Sequence, residues 1–152
     1  MTFLVDTNVL VRLEDSVSPQ HAEALGAIEI LKREGYDCQI VPQVMYEFWV
    51  VATRPVENNG LGLDVQKAED AIREWISLFR LRLDERGVFR KWMSLVSGYQ
   101  VRGKISHDAR LVAAMEKHGI VNLLTFNGAD FVRFSNIKIF SPADVVAGHL
   151  PS

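Results

Sequence analysis

Four acidic residues stand where side chains of that type can do chemistry. Asp6 closes the apolar run Phe3-Leu4-Val5. Glu47 lies within the run Val44-Met45-Tyr46-Glu47-Phe48-Trp49-Val50-Val51-Ala52. Asp108 falls in the first turn of a helix opening at Ser106, and Asp130 follows the apolar segment 121–126. Each has an ordinary reading as well: Asp6 as a helix cap, Asp108 as a complement to a helix dipole, Asp130 as a turn residue. Glu47 is the hardest to explain that way. Its helix is expected to be buried, and no basic residue lies within four positions of it. A buried carboxylate must be neutral, paired with a distant arginine, or bound to a cation. Carboxylates gathered at one edge repel one another unless protons or a cation neutralise them. Hard oxygen ligands suit Mg2+ or Mn2+. Zinc fits less well, because His21, His107, His118 and His149 show no paired-ligand spacing.

The elements that must hold these groups follow from the apolar pattern. Phe3-Leu4-Val5, Cys38-Gln39-Ile40-Val41, Leu81-Arg82-Leu83, 121–126 and Ile137-Lys138-Ile139-Phe140 read as strands. Between them lie stretches of helical period. One carries Val9, Leu10 and Leu13. A second has Ser18 as cap, Pro19 as its first residue and Gly35 as its stop. Others span about Gln43 to Ala52, follow Asp64, run from Val88 to Tyr99, and open at Ser106. A last short helix starts at Ser141-Pro142. The segment 54–63, broken by Pro, Asn and Gly, reads as a loop. Strands alternating with helices predict a three-layer α/β/α domain with a mostly parallel central sheet. In such sheets ligands bind outside the carboxyl ends of the strands, where Asp6, Asp130 and the helix carrying Glu47 are expected.

At 152 residues, with 48% hydrophobic and 24% charged side chains, the chain is expected to form one domain over residues 1–152. The lone Cys38 excludes an internal disulfide and reads as a small buried hydrophobe. No signal peptide and no membrane-length apolar run is visible, so the expectation is a soluble, cytoplasmic protein. The net charge of −2 is unevenly spread. Residues 1–79 carry a net −7 and residues 80–117 a net +5. The basic middle reads either as solvated helix faces or as a polyanion footprint.

Four segments, taken in order, resemble the PIN-domain nucleases, and among them the VapC-like toxins of toxin–antitoxin pairs. They are Leu4-Val5-Asp6-Thr7-Asn8-Val9-Leu10, Pro42-Gln43-Val44-Met45-Tyr46-Glu47-Phe48, Ile105 to Ala114 with Ser106-His107-Asp108, and Leu124-Thr125-Phe126-Asn127-Gly128-Ala129-Asp130-Phe131. The resemblance spans roughly residues 2–145. It implies a metal-binding acidic pocket with Asp6, Glu47 and Asp108 as ligands. The fourth position departs from the pattern: many members have an Asp where this chain has Asn127, and Asp130 is the nearby acid. Asn8 and Thr125 match polar positions that orient ligands or contact phosphate.

The resemblance further implies Mg2+- or Mn2+-dependent hydrolysis of RNA phosphodiester bonds by metal-activated water. It also implies an antitoxin partner and, in many members, a homodimer. Because an acidic pocket repels phosphate, nearby cations are needed to guide RNA. Arg86, Arg90, Arg102, Lys104 and Arg110 are the candidates from the basic stretch. The rival reading, motivated by Asn127, is a PIN-like module that binds RNA or a protein without catalysis. A small-molecule enzyme is disfavoured by the absence of a G-x-G-x-x-G turn or a phosphate-binding P-loop. An aspartyl-phosphate chemistry at Asp6 predicts a covalent adduct there.

Overall fold

The computed structural model describes residues 1–152. Five strands form one sheet: β1 (Thr2–Val5), β2 (Asp37–Ile40), β3 (Arg80–Leu81), β4 (Asn122–Leu124) and β5 (Lys138–Phe140). Seven helices accompany them: α1 (Thr7–Glu14), α2 (His21–Arg33), α3 (Pro42–Thr53), α4 (Val65–Leu78), α5 (Val88–Gly98), α6 (Ile105–Lys117) and α7 (Pro142–Val146). The strand order is β3-β2-β1-β4-β5, and every pairing is parallel.

The central place of β1 follows from its composition. Phe3, Leu4 and Val5 are all fully buried, as a strand covered on both faces requires. The polar-ended β3 and β5 take the edges. The chain moves outward from β1 through β2 to β3, then returns to place β4 against the other side of β1. With right-handed crossovers this reversal puts the early helices on one face and α5 and α6 on the other. The observed packing agrees: α1 contacts α2 and α3, α3 contacts α4, and α5 contacts α6. The reversal makes the carboxyl ends of β1 and β4 the topological switch point of the sheet, where a ligand crevice opens.

One continuous apolar cluster runs from Phe3 to Val145. Cys38 belongs to it, and burial pushes its thiol up to about 11, which leaves it inert.

Local boundaries differ from the expected ones in several places. The strand expected at Leu81-Arg82-Leu83 is the two-residue β3, Arg80–Leu81, although Arg82 N still bonds Ile40 O at 2.8 Å. The second helix begins at His21 rather than at Ser18-Pro19. The Ser18 hydroxyl accepts from Gln20 N at 3.2 Å and the Ser18 carbonyl from His21 N at 3.0 Å, so a turn forms where a cap was expected. The strand at 121–126 narrows to β4, although Thr125 N still bonds Phe140 O at 3.0 Å. The expected turn at Asn127-Gly128 opens a single 3-10 turn, Gly128–Phe131. The sheet is wholly parallel, where the sequence implied mostly parallel.

Candidate functional site

Asp6 is the first residue beyond β1, and it caps α1. Its Oδ1 accepts from Thr7 N at 2.7 Å. The ordinary reading of Asp6 therefore holds, but it uses only one oxygen. Oδ2 accepts from the Thr125 hydroxyl at 2.8 Å and from Asn8 Nδ2 at 3.3 Å. Thr125 follows β4 and is fully buried, so the bond crosses the switch point. Asn8 completes the tie: its Nδ2 reaches Thr125 Oγ1 at 3.0 Å, and its Oδ1 accepts from Phe126 N at 3.0 Å. Thr125 Oγ1 also accepts from Asn127 N at 3.0 Å. Asn8 and Thr125 thus lock the ends of β1 and β4 together and fix the orientation of Asp6.

Glu47 is half-buried rather than fully enclosed, and it has no arginine partner. Four of the five α3 positions before it are buried, while Glu47 turns toward α1. Its Oε2 accepts from the Thr7 hydroxyl at 3.0 Å, and its Oε1 from Gln43 Nε2 at 2.9 Å, one helical turn away. Gln43 also donates to His107 O at 2.8 Å and accepts from Arg110 Nη1 at 3.2 Å. The start of α6 is thereby anchored to the same carboxylate. Asp108, in the first turn of that helix, is half-buried, and Asp130 is exposed on the 3-10 turn.

Asp6, Glu47, Asp108, Asp130 and Asn127 line one cleft of about 600 Å³. Their mutual approach shows in their acidities. Burial first, then repulsion from Glu47 and Asp108, pushes Asp6 up to about 6 against the hydrogen bonds of Thr125 and Thr7. Burial, then Asp130 and Glu47, pushes Asp108 up to about 6, opposed by His107 and Arg133. No three carboxylate, imidazole or thiol groups form a closed cage for an ion. The oxygen-only donor set fits a hard divalent ion held by one or two carboxylates, with water filling its remaining positions. Such an ion would offset the burial and the repulsion that together raise Asp6 and Asp108.

None of Arg86, Arg90, Arg102, Lys104 and Arg110 lines this cleft. Arg110 reaches it only through Gln43 and otherwise pairs with Asp84 at 3.4 Å. The cations that do line it are Arg12 and Arg54. Sequence reasoning missed both, and also Thr7 and Gln43 as supports. The signal for Gln43 was its place four residues before Glu47. Those for Arg12 and Arg54 were their helical spacings from Asn8 and Glu47.

A parallel sheet in the order β3-β2-β1-β4-β5, with a carboxylate cleft at its switch point, defines a three-layer α/β fold with an acidic crevice outside the strand ends. A family profile for the PIN domain matches residues 3–137, and the chain belongs to that family. Solved structures agree on the fold. VapBC2 from Rickettsia felis, bound to a DNA fragment from its promoter, superposes with a TM-score of 0.68 at 14% identity, covering 93% of this chain and 98% of that one. A toxin–antitoxin complex from Klebsiella pneumoniae gives 0.62 at 20% identity, covering 91% and 96%. VapC20 from Mycobacterium tuberculosis, a sarcin–ricin loop cleaving toxin, gives 0.62 at 20% identity, covering 87% and 95%. No curated protein matches the chain significantly in sequence.

Proposed function

We propose that this PIN-domain protein is a Mg2+- or Mn2+-dependent endoribonuclease and the toxin of a VapBC-type pair. The observation that carries the reading is the convergence of Asp6, Glu47, Asp108 and Asp130 on one cleft, with Asp6 and Asp108 raised to about 6 by burial and mutual repulsion. Family membership and the kinship in fold with a toxin–antitoxin complex and with an RNA-loop-cleaving toxin support the choice of RNA as substrate and of an antitoxin as partner.

Asp6 and Glu47 would hold the ion, with Asp108 and Asp130 facing it or its waters. The ion, when bound, supplies charge to the phosphate and lowers the pKa of bound water. The chain's own residues do the positioning. Thr125, Asn8 and Thr7 fix the rotamer of Asp6, and Thr7 and Gln43 fix that of Glu47. Asp108, with its raised pKa, is suited to accept a proton near neutral pH.

The test is Mn2+ calorimetry on wild type, Asp6→Asn and Glu47→Gln, followed by RNA cleavage on the same samples. Saturable binding and cleavage lost together in both variants are expected. Equal cleavage by wild type and Asp6→Asn would assign the activity to a contaminant. Saturable binding without cleavage of any RNA would favour the non-catalytic module, a reading that Asn127 in place of an acid keeps alive.

A further inference from the structure

The acidic cleft does not end at the carboxylates. Asn8, Val11 and Arg12 on one face of α1, and Asp15 at its C-cap, recur at spacings of three and four residues, and all four line the cleft. Glu47, Val51 and Arg54 do the same along α3 and its C-cap. These two stripes make facing walls. Each runs seven residues, about 10 Å by helical rise. The carboxylates stand at the sheet end, and both arginines lie toward the far end, where Asp15 is the one acid beside them.

Neither arginine is used by the fold as a counter-ion. Arg12 and Arg54 form no ion pair with Asp6, Asp15, Glu47, Asp108 or Asp130, although all share one cleft. Arg12 makes no side-chain hydrogen bond. Arg54 spends one, from Nη2 to Asn59 O at 3.2 Å, and its Nε is left without an acceptor.

The backbone that carries Arg54 is held rigidly. After α3 the chain folds back on itself: Leu61 N bonds Val51 O at 2.9 Å, Gly62 N bonds Arg54 O at 2.9 Å, and Leu63 N bonds Ala52 O at 2.8 Å. Asn59 adopts φ 63° and Gly62 φ 64° to make this return. Gly60 passes so close that a Cβ there would lie 1.9 Å from Arg54 O. A loop laced this way presents a preorganised cation and little entropy is lost when it binds.

We infer that Arg12 and Arg54 form a phosphate-binding end of the cleft, which seats a backbone phosphate of single-stranded RNA beyond the scissile position. This inference rests on the reading of the protein as a ribonuclease. It resolves the electrostatic problem of that reading, since a cleft of carboxylates repels the polyanion it must admit. Arginine supplies fixed, forked donors suited to phosphate oxygens. The two residues act on substrate affinity and on the register of the strand, not on the acids themselves.

The experiment measures binding of a labelled single-stranded RNA to the full chain, in Ca2+ buffer, across a salt series. Wild type is compared with Arg12→Ala, Arg54→Ala, Arg54→Lys and the Arg12→Ala/Arg54→Ala pair, and with an Arg86→Ala/Arg90→Ala pair outside the cleft. The expected result is at least a tenfold loss of affinity in the cleft pair, with the slope of log K against log salt reduced by about 1. KM rises more than kcat falls, and Mn2+ binding persists. Arg12→Ala should weaken RNA binding with no change in melting temperature, which a purely structural role would not produce. Unchanged affinity and slope in the cleft pair would overturn the inference, as would a loss confined to the Arg86/Arg90 pair. Wild type that binds Mn2+ but no RNA would overturn both the inference and the ribonuclease reading. Absence of Mn2+ binding, with RNA binding still dependent on Arg12 and Arg54, would overturn the catalytic reading alone.

Discussion

Thr7 Oγ1 stands 3.0 Å from Glu47 Oε2, joining the first turn of α1 to the middle of α3 across forty residues of sequence. The hydroxyl is buried, and the carboxylate it holds faces the cleft. Thr7→Val keeps the shape and removes the donor. We expect a loss of about 1–2 kcal/mol in stability. Mn2+ affinity should fall about tenfold, because a ligand that loses its outer support also loses its orientation. Denaturant unfolding and calorimetry on the same variant check both.

Thr125 gives a second test of orientation. Its hydroxyl donates to Asp6 Oδ2 at 2.8 Å and holds the Asp6 carboxyl below where burial alone would put it. Thr125→Val should therefore raise the Asp6 pKa above about 6. NMR titration of the metal-free variant reads this directly, and the pH at which Mn2+ binding is half lost should move upward with it.

The pH dependence of stability has a definite sign. Asp6 and Asp108 ordinarily titrate at 3.8 and are raised to about 6 in the folded chain. Between those values the folded state binds more protons than the unfolded one. Their contribution to stability therefore falls as pH rises through that window, and the full cost is present above about 6. For the buried Asp6 this amounts to at most about 3 kcal/mol. Asp108 contributes less, being half exposed. Metal-free Asp6→Asn should be at least as stable as wild type near neutral pH and show a weaker slope. Mn2+ should stabilise wild type near neutral pH and lose this effect below about pH 6. Melting temperatures with EDTA and with Mn2+ across the range decide it.

Asp130 and Asn127 both line the cleft, and only Asp130 carries charge. After burial, Asp130 is the largest contributor to the raised pKa of Asp108, ahead of Glu47. Asp130→Asn should bring Asp108 back toward 3.8, observable by NMR titration. It should also weaken Mn2+ binding, by a factor of a few if Asp130 touches only the ion's waters. Asn127→Asp adds an acid on the same wall and should tighten it. Unchanged calorimetry in Asn127→Asp would show that the fourth position is set by Asp130 alone.

Much of this was readable along the chain because its causes are local. Phe3-Leu4-Val5 is apolar throughout, so it had to be a strand buried on both faces. Helices follow Asp64 and Ser141 as expected, and each residue caps its helix, Asp64 on Lys67 N and Ser141 in a reciprocal box with Asp144. Ser18-Pro19 misled because one hydroxyl can close a turn or cap a helix, and the choice depends on what the next segment packs against.

The acids were legible for a different reason: a carboxylate after a buried strand, or within an apolar helix, conflicts with its surroundings and so draws notice. The sequence by itself determined the alternation of strands and helices and the identities of Asp6, Glu47, Asp108 and Asp130. It could not order the strands, because pairing depends on contacts between residues more than a hundred positions apart, such as Asp6 with Thr125. Nor could it select the cations. Charge density along the chain pointed to residues 80–117, whereas proximity to the cleft belongs to Arg12 and Arg54, in the acidic half. Electrostatic force falls with distance in space and not with separation in sequence. The tertiary fold alone therefore decided which charges face the carboxylates.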